Sequence, residues 1–140
     1  MLKSGRTLLA VGEKNLDTFN RLKQELGGIA NKQAFLIAMT WGMRHATKPE
    51  NLKRSNTGVR LEYLKGPDEA LLTAMHLAET NDPQTLTDIE QRLDLAERYA
   101  DGGLLLLAEM LDEPGEFARV FAGEVKQQVD GLKSQLSVSG

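Results

Sequence analysis

Apolar positions along this chain change period several times, and each change predicts an element. Residues 7–11 (TLLAV) form a short apolar run consistent with a brief N-terminal strand. From there Leu16, Phe19, Leu22 and Leu26 recur at three- and four-residue steps, the spacing of one helix face. Asn15 stands at the N-cap position, Asp17 lies in the first turn, and Gly27-Gly28 ends the run.

A second helix is predicted from about Asn31 to Lys48-Pro49, where proline restricts the residue before it. Ala34, Phe35, Ile37, Ala38, Met39, Trp41, Gly42 and Met43 leave it apolar nearly all round, so it must be covered on several sides. Phe35, Met39 and Trp41 are therefore assigned to an inter-helix or inter-subunit seam. Ala34, Ala38 and Gly42 recur every four positions, which would let another helix approach closely.

Val59, Leu61 and Tyr63 suggest a short strand or an extended linker. Gly66-Pro67-Asp68 opens a third helix, with acids Asp68 and Glu69 in its first turn and a stop at Asn81-Asp82-Pro83. Thr87-Asp88-Ile89-Glu90 has the form of a capping box and starts a fourth, which is expected to break at Asp101-Gly102-Gly103. The run LLLLAEML then predicts a short fifth helix, and Phe117, Val120, Phe121, Val125 and Val129 predict a last one. The expected fold is all-α, a compact helical domain of about five to six helices with a short N-terminal strand. A single domain over 1–140 is expected, with residues 134–140 as a flexible tail.

Charge changes this picture by dividing the chain. Residues 1–65 hold twelve Lys or Arg against five acids, and residues 66–133 carry most of the acids; the whole chain has a net charge of −3. The sequence is thus a basic helical half followed by an acidic one. The stretch RHATKPENLKRSNTGVR is the extreme case: Arg44, Lys48, Lys53, Arg54 and Arg60 face only Glu50. Flexible cations with the polar donors Asn51, Ser55, Asn56 and Thr57 are what phosphate contacts require. The competing explanation is a loop that is polar simply because it is solvated. No aromatic run accompanies the cations, so duplex backbone suits them better than stacked single strands.

Candidate chemistry is sparse. With no cysteine, disulfides, thiolate metal sites and thiol nucleophiles are excluded. The expected location is cytoplasmic, since the N-terminal apolar run is too short for a signal core or a membrane span. His45 and His76 lack metal-ligand spacing, and no phosphate-binding loop, dinucleotide fingerprint or nucleophile elbow occurs. No catalytic residue, metal site or cofactor is therefore assigned. Asp88, Glu90, Asp94, Glu97 and Asp101, with Arg92 and Arg98 among them, are expected to form a solvated, ion-paired helix face, or a surface for a basic partner.

The order of elements, a short strand, the helix LDTFNRLKQELGGI, a break, the helix NKQAFLIAMTWGMRHA and a basic stretch, resembles the ribbon-helix-helix arrangement. More closely, LKQELGGIANKQAFLIAMTWGMRHA resembles the DndE family of DNA phosphorothioation systems, over about residues 16–80. That resemblance implies a helical, homo-oligomeric protein that binds double-stranded DNA, intact or nicked, beside a larger DNA-modification or phage-defence complex. The contacts it implies are Arg21, Lys23, Lys32, Lys48, Lys53 and Arg54; Arg44 and Arg60 join them from the basic stretch. The alternatives are a ribbon-helix-helix repressor or antitoxin, which would prefer one operator, and a helical adaptor that binds only protein.

Overall fold

The computed structural model describes residues 6–113, 115, 117, 119 and 120. The predicted tail at 134–140 and most of the last predicted helix lie outside them.

Four residues of the apolar N-terminal run and Gly12 form strand β1 (Leu8–Gly12), which pairs antiparallel with β2 (Arg54–Arg60). Leu8 stands opposite Arg60, Leu9 opposite Val59, Ala10 opposite Gly58 and Gly12 opposite Arg54. One residue of β1 thus faces three of β2 between the last two pairs, an irregularity that the Ser55 hydroxyl steadies by donating to Val11 O at 2.7 Å. Much of the sequence's basic loop is therefore a strand. Leu61–Tyr63, expected to be extended, is a turn of 3-10 helix instead.

Four α-helices follow the predicted order: α1 (Leu16–Glu25), α2 (Asn31–Arg44), α3 (Gly66–Thr80) and α4 (Ile89–Leu111). Gly27 and Gly28, at φ 84° and 80°, turn the chain out of α1 through the left-handed region that glycine tolerates best. The second helix ends at Arg44, short of Pro49, with Ala46 left-handed behind it. Asp68 Oδ2 accepts the Lys65 N–H at 2.9 Å at the start of α3, and Asn81 closes it at φ 52°. At α4 the cap is Asp88, whose carboxylate accepts from Gln91 N, while Thr87 belongs to the preceding 3-10 turn.

The expected count of five to six helices is corrected to four among the described residues. Asp101-Gly102-Gly103 does not break a helix; it lies inside the 23-residue α4. The reason is packing. A Cβ on Gly103 would lie 1.8 Å from Ala38 O, and one on Gly42 would lie 2.0 Å from Tyr99 O, so α2 and α4 cross backbone to backbone. Glycine costs about 1 kcal/mol in a helix interior, which this close approach offsets through van der Waals contact. The same stripe of Ala34, Ala38 and Gly42 is the one the sequence marks for close approach. Around it the core gathers Leu9, Phe19, Leu22, Met75, Leu104 and Leu107, all buried, and α4 touches α1, α2, α3 and β1.

Candidate nucleic-acid interface

Burial settles first which side chains remain outside. Phe35, Met39 and Trp41 are 1%, 0% and 7% exposed within this one chain, so the inter-helix form of the predicted seam is the one realised here. His76 is also buried. Arg92 Nε donates to its Nδ1 at 3.2 Å, which makes Nε2 the protonated nitrogen, donating to Gln91 Oε1 at 2.7 Å.

The predicted cations are distributed unevenly, and folding supplies acids that the local sequence lacks. Arg54 Nε lies 3.0 Å from Glu97 Oε1, and its Nη2 donates to Leu8 O at 2.9 Å. Glu97, nearly inaccessible, also accepts the Ala10 N–H at 2.7 Å. Together they satisfy outward-facing backbone groups of β1, so this ion pair blocks an edge that would otherwise seek a partner. Arg21 meets Asp112 at 2.8 Å, Lys32 meets Asp68 at 3.0 Å, and Lys48 meets Glu79 at 2.9 Å. Lys23 donates to Asn31 Oδ1 at 2.8 Å and stands 5.1 Å from the centre of the Phe19 ring.

Two of the eight stand well out in solvent with only loose pairs. Lys53 is 81% exposed with Glu13 at 3.4 Å, and Arg60 is 70% exposed with Glu62 at 3.6 Å. Arg44 is exposed at the end of α2. The structure therefore does not bring the eight cations together on one face as free charges.

The acidic helix is likewise more committed than a solvated face. Glu90, Asp94 and Glu97 surround the Arg6 guanidinium, which burial would discharge but whose pKa Asp94, Glu97 and Glu90 raise instead. Asp101 is 8% exposed; burial pushes its carboxyl up, against a hydrogen bond from the Asn15 amide. Asn15 thus serves Asp101 with its side chain and makes no side-chain cap bond to α1. Among the described residues no group of three or more His, Asp or Glu is placed to hold a metal ion, and no helix is long and apolar enough to cross a membrane.

One concavity was not foreseen. A groove of about 890 Å³ opens between the β1–β2 strand pair, the 61–64 turn, α3 and the first turns of α4, and it is lined by Leu8, Leu72, Ile89, Leu93, Arg60 and Arg92 among others. Sequence reading passes over Arg92 because it sits among acids. Only its tertiary neighbours reveal it: Nε is held by His76, and Nη2 donates to Leu86 O at 2.6 Å. Burial lowers its pKa, an effect that Glu69 partly offsets.

No curated protein and no solved structure matches this chain. The model of one family, the DNA sulphur modification system-associated protein 4, matches residues 18–133, which include most of α1 and all of α2, β2, α3 and α4. That is well over half of the sequence, and the chain belongs to this family.

Proposed function

We propose that the chain is a non-catalytic accessory subunit of a DNA sulphur modification system that touches the backbone of double-stranded DNA, intact or nicked. The family supports the accessory role, and the likeness of LKQELGGIANKQAFLIAMTWGMRHA to DndE supports DNA as the ligand. The observation that carries the DNA contact is the exposure of Lys53 and Arg60 at 81% and 70%. Lys53 precedes β2 and Arg60 ends it, with the exposed Asn56 between them. Arg44 is a third contact. Homo-oligomerisation belongs to the same proposal, through surfaces other than Phe35, Met39 and Trp41.

The test is retention of an unrelated-sequence duplex, intact and nicked, across salt. About two or three phosphate contacts predict that log K falls against log salt with a slope of roughly −2 to −3. Lys53→Glu with Arg60→Glu removes that retention for all sequences alike. Arg54 is left intact because its loss would disturb Glu97 and β1. Unchanged retention by the double variant sinks the assignment.

The second reading is an adaptor that binds only protein. It is favoured by the neutralisation of Arg21, Lys32, Lys48 and Arg54 by acids of the second half, and it predicts no salt-dependent duplex retention.

A further inference from the structure

The groove beside the two-stranded sheet combines an aliphatic floor with a fixed guanidinium. Leu8, Leu72, Ile89 and Leu93 come from three elements, β1, α3 and α4; Leu8 and Ile89 are half-buried at its walls, and Leu72 and Leu93 close the floor beneath them. Arg92 spends Nε on His76 and Nη2 on Leu86 O, so its rotamer is set by the protein. Among the described residues no carboxylate lies within ion-pair distance of it. Glu69 acts on it only at longer range, and the other acid of the lining, Glu62, already faces Arg60. Arg6, the third arginine, is ion-paired with Glu90, Asp94 and Glu97.

A half-buried arginine held by neutral partners is an anion receptor whose ordering cost has been met by the fold. The surroundings decide which anion. No aromatic ring lines the groove to stack a base, and Asp88 occupies the N-terminus of α4 where a phosphate would otherwise sit. Carboxylate on an aliphatic backbone fits both halves of the lining, and a guanidinium edge pairs with carboxylate in defined geometry.

We propose that this groove docks an acidic, apolar peptide segment of a partner protein, with a carboxylate on Arg92 and aliphatic side chains on Leu8, Leu72 and Leu93. It deepens the accessory reading, on which it rests for the existence of a partner, by giving the partner's contact a place and a composition.

The experiment uses the full chain with labelled methyl groups and two peptides, one alternating Glu with Leu and one alternating Lys with Leu. The Glu–Leu peptide should shift the methyl signals of Leu8, Leu72, Ile89 and Leu93 saturably, and the Lys–Leu peptide should not. Arg92→Gln should weaken binding at least about tenfold, the scale of one lost charge-assisted bond. Because Arg92 also supports His76, Thr73→Trp provides a second variant that fills the groove from α3 and should abolish the shifts. Silence up to about 1 mM peptide, a lower limit for useful affinity, overturns the proposal. So do equal shifts with the lysine peptide, binding unchanged by both variants, or tighter saturation of the same methyls by duplex DNA or a nucleotide. Arg60 lines the groove, so duplex retention is compared with Lys53→Glu alone, which lies outside the lining; that readout fails or survives independently and keeps the two assignments separable.

Discussion

Two seams meet on α4, and they are held together by opposite means. On one side α2 crosses it with Gly42 and Gly103 pressed against carbonyls, a contact of shape in which no side chain intervenes. On the other side the β1–β2 sheet is fastened by Glu97, which takes Arg54, Arg6 and the Ala10 N–H together. The first seam has no polar group to leave unpaired and no room to spare. The second tolerates separation of the backbones but not the loss of one charge. Shape and charge thus fix two faces of a single helix, and the difference gives each a distinct way to fail.

The largest effect is expected at the close crossing. Gly103→Ala would gain about 1 kcal/mol of helix propensity, yet its Cβ would fall 1.8 Å from Ala38 O. A net loss of about 3 kcal/mol or more follows, measured as the urea midpoint at constant m. A variant more stable than the parent would show that the crossing can open and that the contrast between the seams is unsound.

At the charged seam, Glu97→Ala leaves Arg54, Arg6 and a buried N–H facing a void, with an expected cost of about 2–3 kcal/mol. Adding Arg54→Ala should then cost less than in the parent, because the pair is coupled. If the two losses simply add, the sheet is held by the apolar face of Leu9, Val11 and Val59 rather than by charge.

The smallest effect sharpens the boundary between the two. Tyr99 packs at the crossing, while its hydroxyl donates to Glu79, which also meets Lys48. Burial and then that carboxylate push the Tyr99 hydroxyl up to about 12 from 10.0. A folded value above the unfolded one means a contribution present in full below pH 10 and lost as pH rises toward 12. Tyr99→Phe should cost about 1 kcal/mol at neutral pH and flatten the fall in stability over that alkaline window, followed by thermal melts. An unaltered alkaline slope would mean that Tyr99 does not titrate with folding.

Much of the helical frame was legible. Leu16, Phe19 and Leu22 announced α1, Gly27-Gly28 its end, and Gly66-Pro67-Asp68 the start of α3, because periodicity and capping are local effects. Asp101-Gly102-Gly103 misled for the complementary reason: glycine at a helix end and glycine at a helix crossing look alike until the second helix is in place. The basic stretch misled similarly. Its cations lacked acids nearby in sequence, but Asp68, Glu79, Glu97 and Asp112 arrive from the other half.

The sequence by itself determined the starts of the four helices, the apolar surface of α2 and the unequal charge of the halves, since each depends on neighbours within a few residues. Tertiary structure alone decided which cations stay exposed, that Glu97 closes the edge of β1, and that Arg92 faces an aliphatic groove. Coulombic and packing energies depend on distance in space, and residues some thirty to ninety positions apart acquire that distance only when the chain closes.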